Sequence, residues 1–529
     1  MKKRINKIAS AIMAITIVFS VASCGSSSKS DSSPRRNAEV NGAADYAAAE
    51  SETYRGVDAM MKSAPAMENN SEEYVHYEEN SFISTAEHPL STFSTDVDTA
   101  SFTNVRRMLE NGQDIDPDAV RAEEFINYFK YSYPAPQPGS ADKLSINTEL
   151  SDCPWNKNAQ LLLIGLQAQD IEVKDIDSNI VFLIDVSGSM HSANKLPLVQ
   201  QAFTMLAENL GENDRISIVT YAGSDEVKLE GEKGSNYDSI SAALGSLKAG
   251  GSTAGAAGIN TAYEIAEKYF IEGGNNRVIL ATDGDLNVGV SSVDGLTKLV
   301  EEKRDKGVYL SVLGFGTGNY KDNRLEALAD NGNGNYAYID SIEEARRVLV
   351  TEMSGTLFTV AKDAKVQVEF DPEQISKYKL VGYENRLLAD KDFEDDEKDA
   401  GDIGAGQQVT VLYELIPAVN DNTGETDESI KNMSENTAAD LAKVSVRYKE
   451  RDENESKLLE APVSVESFTP ADSISDNMKL ACGAAMFAKT LSGSQTKYTA
   501  EQIRQYSTGL SLDAGELNKL LDMYEKRAK

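Results

Sequence analysis

The run Ile180-Val181-Phe182-Leu183-Ile184 is apolar without interruption and stops at a carboxylate, Asp185. Such a run fits a strand covered on both faces, because a half-exposed strand would alternate apolar with polar residues. Apolar residues then recur at helical spacing, at Leu196, Val199, Phe203, Leu206 and Leu210. The alternation continues with a strand over 215–221, helices over 237–247 and 256–269, and a second buried strand over 278–281. A helix over 293–306, a strand over 309–313, a helix over 324–330, a strand over 335–339 and a closing helix over 342–353 complete it. Strand and helix in turn dictate an α/β fold, a doubly wound and mostly parallel sheet of Rossmann-like type. Ligands of such sheets sit beyond the carboxyl ends of the strands.

Those strand ends carry the chemistry. Asp185-Val186-Ser187-Gly188-Ser189 puts a carboxylate and two hydroxyls on one loop at i, i+2 and i+4. Gly250-Gly251-Ser252-Thr253 places another hydroxyl on a flexible turn, and Ala281-Thr282-Asp283-Gly284 ends another buried strand in a second carboxylate. These are hard oxygen donors, suited to Mg²⁺ or a similar small cation rather than to Zn²⁺ or Cu²⁺. Two carboxylates nearly balance a dication without saturating it.

The set Asp185, Ser187, Ser189, Thr253 and Asp283 resembles the metal-ion-dependent adhesion site of von Willebrand factor type A domains. The resemblance implies that Ser187, Ser189 and Thr253 contact the cation, Mg²⁺ or else Mn²⁺ or Ca²⁺. It implies that Asp185 and Asp283 act largely through water, and that a carboxylate of a protein partner completes the coordination. The segments 94–101 (Ser-Thr-Asp-Val-Asp-Thr-Ala-Ser), Cys153-Pro154-Trp155 and 314–320 (Gly-Phe-Gly-Thr-Gly-Asn-Tyr) are similar to features of a bacterial lipoprotein family. Its members combine an N-terminal segment, this domain and a C-terminal domain of unknown function. Asp285, Asn287 and His191 read as rim residues of the site.

The chain has 529 residues, too many for one core. Lys2, Lys3, Arg4 and Lys7 precede an apolar run over 8–21, the pattern of a signal peptide over 1–23. Val21-Ala22-Ser23-Cys24 resembles the lipobox of bacterial lipoproteins, which implies acylation at Cys24 and attachment of an exported protein to the cell envelope by lipid alone. Residues 24–89 are Ser-, Ala-, Asn- and Glu-rich and read as a disordered tether. An N-terminal α+β segment follows over 90–175, with helices over 101–110 and 121–129 and strands over 144–150 and 161–166. The central domain covers 176–356. After it the period changes to that of strands, at 365–370, 378–383, 408–415, 442–449 and 458–465, in a β-rich domain over 357–529 that ends in a helical tail. Cys153 and Cys482 then fall in different domains and read as free thiols.

With a formal net charge of −33 the surface repels nucleic acid. Asp96-Val97-Asp98-Thr99 looks like a phosphatase nucleophile motif, but residues 90–95 do not read as the buried strand that motif requires, so a turn or helix cap is favoured. Asp283-Gly284-Asp285-Leu286-Asn287 starts like an EF-hand loop, yet Val288 stands at the sixth position and Asp294 at the twelfth. The three histidines are His76, His88 and His191, the first two in the tether, and no catalytic triad or phosphate-binding loop is present. The chain therefore reads as a cation-dependent binding protein rather than an enzyme. A metal-dependent hydrolase and a scaffold whose cation only stabilises the fold are the alternatives.

Overall fold

The computed structural model describes residues 72–95, 98–137, 139–170, 176–251, 255–284, 293–317, 322–352, 355, 358–418, 440–451, 453–494 and 497–528. Its centre is a six-stranded sheet in the order Tyr336–Ile339, Tyr309–Phe315, Asn275–Thr282, Ser178–Asp185, Arg215–Tyr221, Asp225–Lys233. The first five strands are parallel and the last is an antiparallel edge. The doubly wound arrangement follows from the two-residue period of the strands. Ile180, Phe182 and Ile184 point to one face, under the helices Leu196–Ala207, Tyr237–Gly245 and Ile342–Arg346. Val181 and Leu183 point to the other, under Gly255–Lys268, Val293–Arg304 and Asp322–Asn331. The edge strand was not foreseen from sequence. Asp225–Lys233 is mostly polar and exposed, so no hydrophobic pattern marks it.

The flanking regions depart from the expected division. Gln160–Ala168 pairs along its whole length with Gln408–Pro417, and Leu90–Ser94 pairs with Thr359–Phe370. The segment before the central domain and the region after it thus share two antiparallel sheets, which stack around Phe93, Ile164, Val366, Val411 and Val444. On the outer face of one sheet the helices Ala100–Glu110, Ala122–Asn127, Asp476–Leu491 and Gly515–Ala528 enclose a further core. Cys153 and Cys482, expected in different domains, are both free, buried and in this one core.

Two expectations are corrected. Residues 72–89, a tether by composition, are instead part of the fold: Glu72 makes a buried ion pair with Arg107 at 2.9 Å and Ile83–Ser84 adds a short strand to Ile375–Leu380. Asn80 Nδ2 donates to the Gly382 carbonyl at 2.7 Å, and His76 sits 2.6 Å from Asp118. This segment is held by polar contacts, which a search for apolar periodicity does not register. Residues 90–94, read as no buried strand, form one that is largely buried. Asp98 beyond it is structural: its Oδ1 accepts the Tyr336 N–H at 3.2 Å and its Oδ2 pairs with Arg386 at 3.0 Å. It thereby ties the central sheet to the antiparallel region; Asp96 lies outside the described residues. Among the described residues no helix is long and apolar enough to cross a membrane.

Candidate metal centre

The parallel strand Ser178–Asp185 delivers Asp185 fully buried to the carboxyl end of the sheet. Its Oδ1 accepts the Ser187 N–H at 2.8 Å, which turns the loop back over the strand end. Ser187 Oγ and Ser189 Oγ then stand 2.8 Å apart, the first buried and the second exposed. Backbone bonds fix this loop: Val186 N–H to the Tyr221 carbonyl at 3.0 Å, and Gly188 N–H to the Gly251 carbonyl at 3.1 Å. Gly250 N–H returns to the Val186 carbonyl at 2.8 Å. Gly251 has φ +89°, a left-handed conformation that glycine adopts without strain. The Gly250-Gly251 turn is therefore pinned to the loop that carries the serines. Thr253, two residues on, lies outside the described residues, as do Asp285, Asn287 and Cys24.

Asp283 follows the neighbouring strand Asn275–Thr282, where Ala281 sits opposite Ile184. Asp283 thus stands one residue beyond the level of Asp185 on the adjacent strand. Tyr221, opposite Asp185 on the other side, has its phenol pushed well above the ordinary tyrosine range by burial first and by the charge of Asp185 next, so it stays neutral.

One side chain beside the candidate site falls outside its motifs. Lys195 Nζ lies 3.0 Å from Asp283 Oδ2, and both side chains are almost wholly enclosed, at 9% and 1% exposure. The lysine reaches it by running across Gly316, where φ is +78° and a Cβ would overlap the Lys195 methylenes. A signal was available, because Lys195 immediately precedes the helix Leu196–Ala207. The N-terminal end of a helix repels cations, so a lysine there needs a carboxylate.

Around this centre the rim is acidic in part. Asp225 lies level with Tyr221 and accepts from Thr261 Oγ1 at 2.6 Å, while Glu226 is 65% exposed and pairs with Lys228 at 2.5 Å. His191 is exposed on the loop.

The donor chemistry fits a small hard cation. Asp185 and the Ser187 and Ser189 hydroxyls share one loop, and Asp283 follows the adjacent strand, so these four side chains offer oxygen donors. Among the described residues no group of three or more His, Cys, Asp or Glu side chains is placed to hold a metal.

Comparison with known proteins agrees with this architecture. Residues 179–351 match the von Willebrand factor type A domain family, residues 68–163 a family described as von Willebrand factor, and residues 355–526 the C-terminal region of uncharacterized protein YfbK. Uncharacterized protein YfbK of Escherichia coli (strain K12) is 41% identical over 451 residues, covering 82% of this chain and 77% of its own length. Uncharacterized protein sll0103 of Synechocystis is 28% identical over 223 residues, covering 42% of this chain and 51% of its own. Among solved structures, a von Willebrand factor type A protein from Catenulispora acidiphila aligns over 72% of this chain and 95% of its own. Its identity is 14% and its TM-score 0.40.

Proposed function

The chain belongs to the family of the Escherichia coli protein YfbK, and on that premise we propose that its central domain holds a divalent cation, Mg²⁺ by preference, and through it an acidic group of a protein partner. The observation that carries this reading is the loop at the end of Ser178–Asp185. One buried carboxylate organises the backbone and two hydroxyls converge 2.8 Å apart beside a second strand-end carboxylate. Asp185, Ser187, Ser189 and Asp283 would hold the cation together with Thr253, and Mn²⁺ or Ca²⁺ would fit the same donors. When bound, the cation supplies a Lewis-acidic point to which a carboxylate of the partner can bond. Because the chain carries a net charge of −33 and Glu226 stands on the rim, the partner has to surround that carboxylate with basic residues. Acylation at Cys24 would attach the protein to the cell envelope.

A scaffold role is the second reading, and the buried ion pairs between the central domain and its flanks favour it. Arg106 bonds Asp340 and Glu344, and Arg386 bonds Glu326 and Asp330. A hydrolase needs a base set on a cation-bound water, a role for which the sequence offers Asp285. Assays on phosphoester and peptide panels separate that reading from the other two. Crosslinking in intact cells, wild type against Asp185→Ala, separates binding from scaffolding. A partner recovered with the wild type and lost from the variant supports cation-dependent binding, and identical crosslinks from both would overturn it.

A further inference from the structure

Lys195 is an unusual member for a site whose purpose is to attract a cation. It is enclosed, it lies 3.0 Å from one of the two carboxylates, and the backbone of Gly316 is shaped to let it pass. Burying an ammonium costs desolvation that only a close carboxylate offsets. The lysine is also fixed at both ends of its reach. Its backbone N–H donates to the Ser192 carbonyl at 3.0 Å, and its carbonyl accepts the Val199 N–H at 2.9 Å in the first turn of the following helix. Lys195 is therefore held as part of the loop that carries Ser187 and Ser189, while its charge is delivered to the strand that carries Asp283.

We propose that Lys195 is a tethered counter-cation that sets the charge of the metal centre and so makes partner binding depend on an acidic group. The inference rests on the cation-binding reading above. Asp185 and Asp283 alone would neutralise a divalent cation, and a neutral centre has little electrostatic need of a further carboxylate. With the Lys195 ammonium included, these three side chains together contribute one net negative charge. The loaded centre then keeps one positive charge, which one carboxylate from a partner balances. The arrangement weakens the protein's own hold on the cation and transfers part of that hold to the partner, because each ligand raises the affinity for the other by the same factor.

The test uses the purified full-length chain, Mn²⁺ as the cation and acetate as a minimal carboxylate. Lys195→Met removes the charge at similar length, Lys195→Gln removes it but keeps a polar side chain, and Lys195→Arg retains it. Calorimetric titration should give Mn²⁺ affinity at least about tenfold higher in Lys195→Met or Lys195→Gln than in wild type, with Lys195→Arg close to wild type. Acetate should raise the Mn²⁺ affinity of wild type and Lys195→Arg but not that of the neutral variants. Mn²⁺ should also raise the melting temperature of Lys195→Gln more than that of wild type. Equal or weaker Mn²⁺ binding by both neutral variants overturns this inference alone. No Mn²⁺ uptake by wild type or by any folded variant overturns the metal reading and this inference with it.

Discussion

Replacing Arg386 by Met tests whether the segment around Asp98 serves to join the central domain to the rest. The guanidinium is 12% exposed and reaches three carboxylates: Asp98 Oδ2 at 3.0 Å, Glu326 Oε1 at 2.7 Å and Asp330 Oδ2 at 2.7 Å. Methionine fills a similar volume and removes every charge-assisted bond. Glu326 keeps Arg121 at 2.9 Å and Asn385 at 3.1 Å, and Asp330 is 29% exposed, so water screens much of its loss. Asp98 is 4% exposed and would keep the Tyr336 N–H as a donor while losing the Arg386 guanidinium. A buried charge that loses its counter-charge typically costs about 3–5 kcal/mol, and most of that cost falls on Asp98. Asp98→Asn removes the buried charge itself, so the double variant should be less destabilised than the sum of the two single variants. Urea unfolding measures this, with the single tryptophan, Trp155, reporting on the helical core it packs against. A loss under about 1 kcal/mol for Arg386→Met, or strict additivity in the double variant, would refute the junction role.

Three further outcomes follow from the structure. Burial, and then the charges of Asp363 and Asp399, push the Asp402 carboxyl up to about 8, whereas an unfolded aspartate titrates near 4. Between those values the folded chain holds a proton that the unfolded chain releases. Stability should therefore fall as pH rises toward 8, by at most about 1.4 kcal/mol per pH unit, and Asp402→Asn should flatten the slope in melts at pH 5 and pH 8. Burial raises the Cys153 thiol to about 12 and holds Cys482 well above its ordinary value, so iodoacetamide at neutral pH should label neither until urea is added; labelling of either of the two in the native protein would contradict their shared core. Cys24→Ser should release the protein from washed membranes, since beyond the first 23 residues no stretch approaches ~20 consecutive apolar residues; retention in the membrane fraction would disprove anchoring by lipid alone.

The central sheet was legible because its strands announce themselves. The strand over 215–221 has the same bounds in sequence pattern and structure, and the apolar runs at 180–184 and 278–281 lie inside Ser178–Asp185 and Asn275–Thr282. The antiparallel strands were also visible one by one. Their pairing was not, because a period of two says which face is buried and nothing about a partner more than two hundred residues away, as between Gln160–Ala168 and Gln408–Pro417. Polar elements left no trace at all: residues 72–89 and the edge strand Asp225–Lys233 are held by hydrogen bonds and ion pairs. Asp185, Ser187, Ser189 and Asp283 stand where the sequence pattern places them, each at a strand end or in the loop after one. Lys195 was passed over because its partner is 88 residues away.

The most direct test of cation binding is a calorimetric titration of Mg²⁺ into the wild-type chain and into Asp283→Ala, with Zn²⁺ titrated in parallel. The variant loses one of two carboxylates and leaves the Lys195 ammonium facing the centre without its counter-charge, so the two effects add against the cation. The wild type should bind one Mg²⁺ per chain without preferring Zn²⁺, and Asp283→Ala should show no measurable Mg²⁺ uptake while staying folded by circular dichroism. Equal Mg²⁺ affinity in the two proteins would contradict the assignment of this centre.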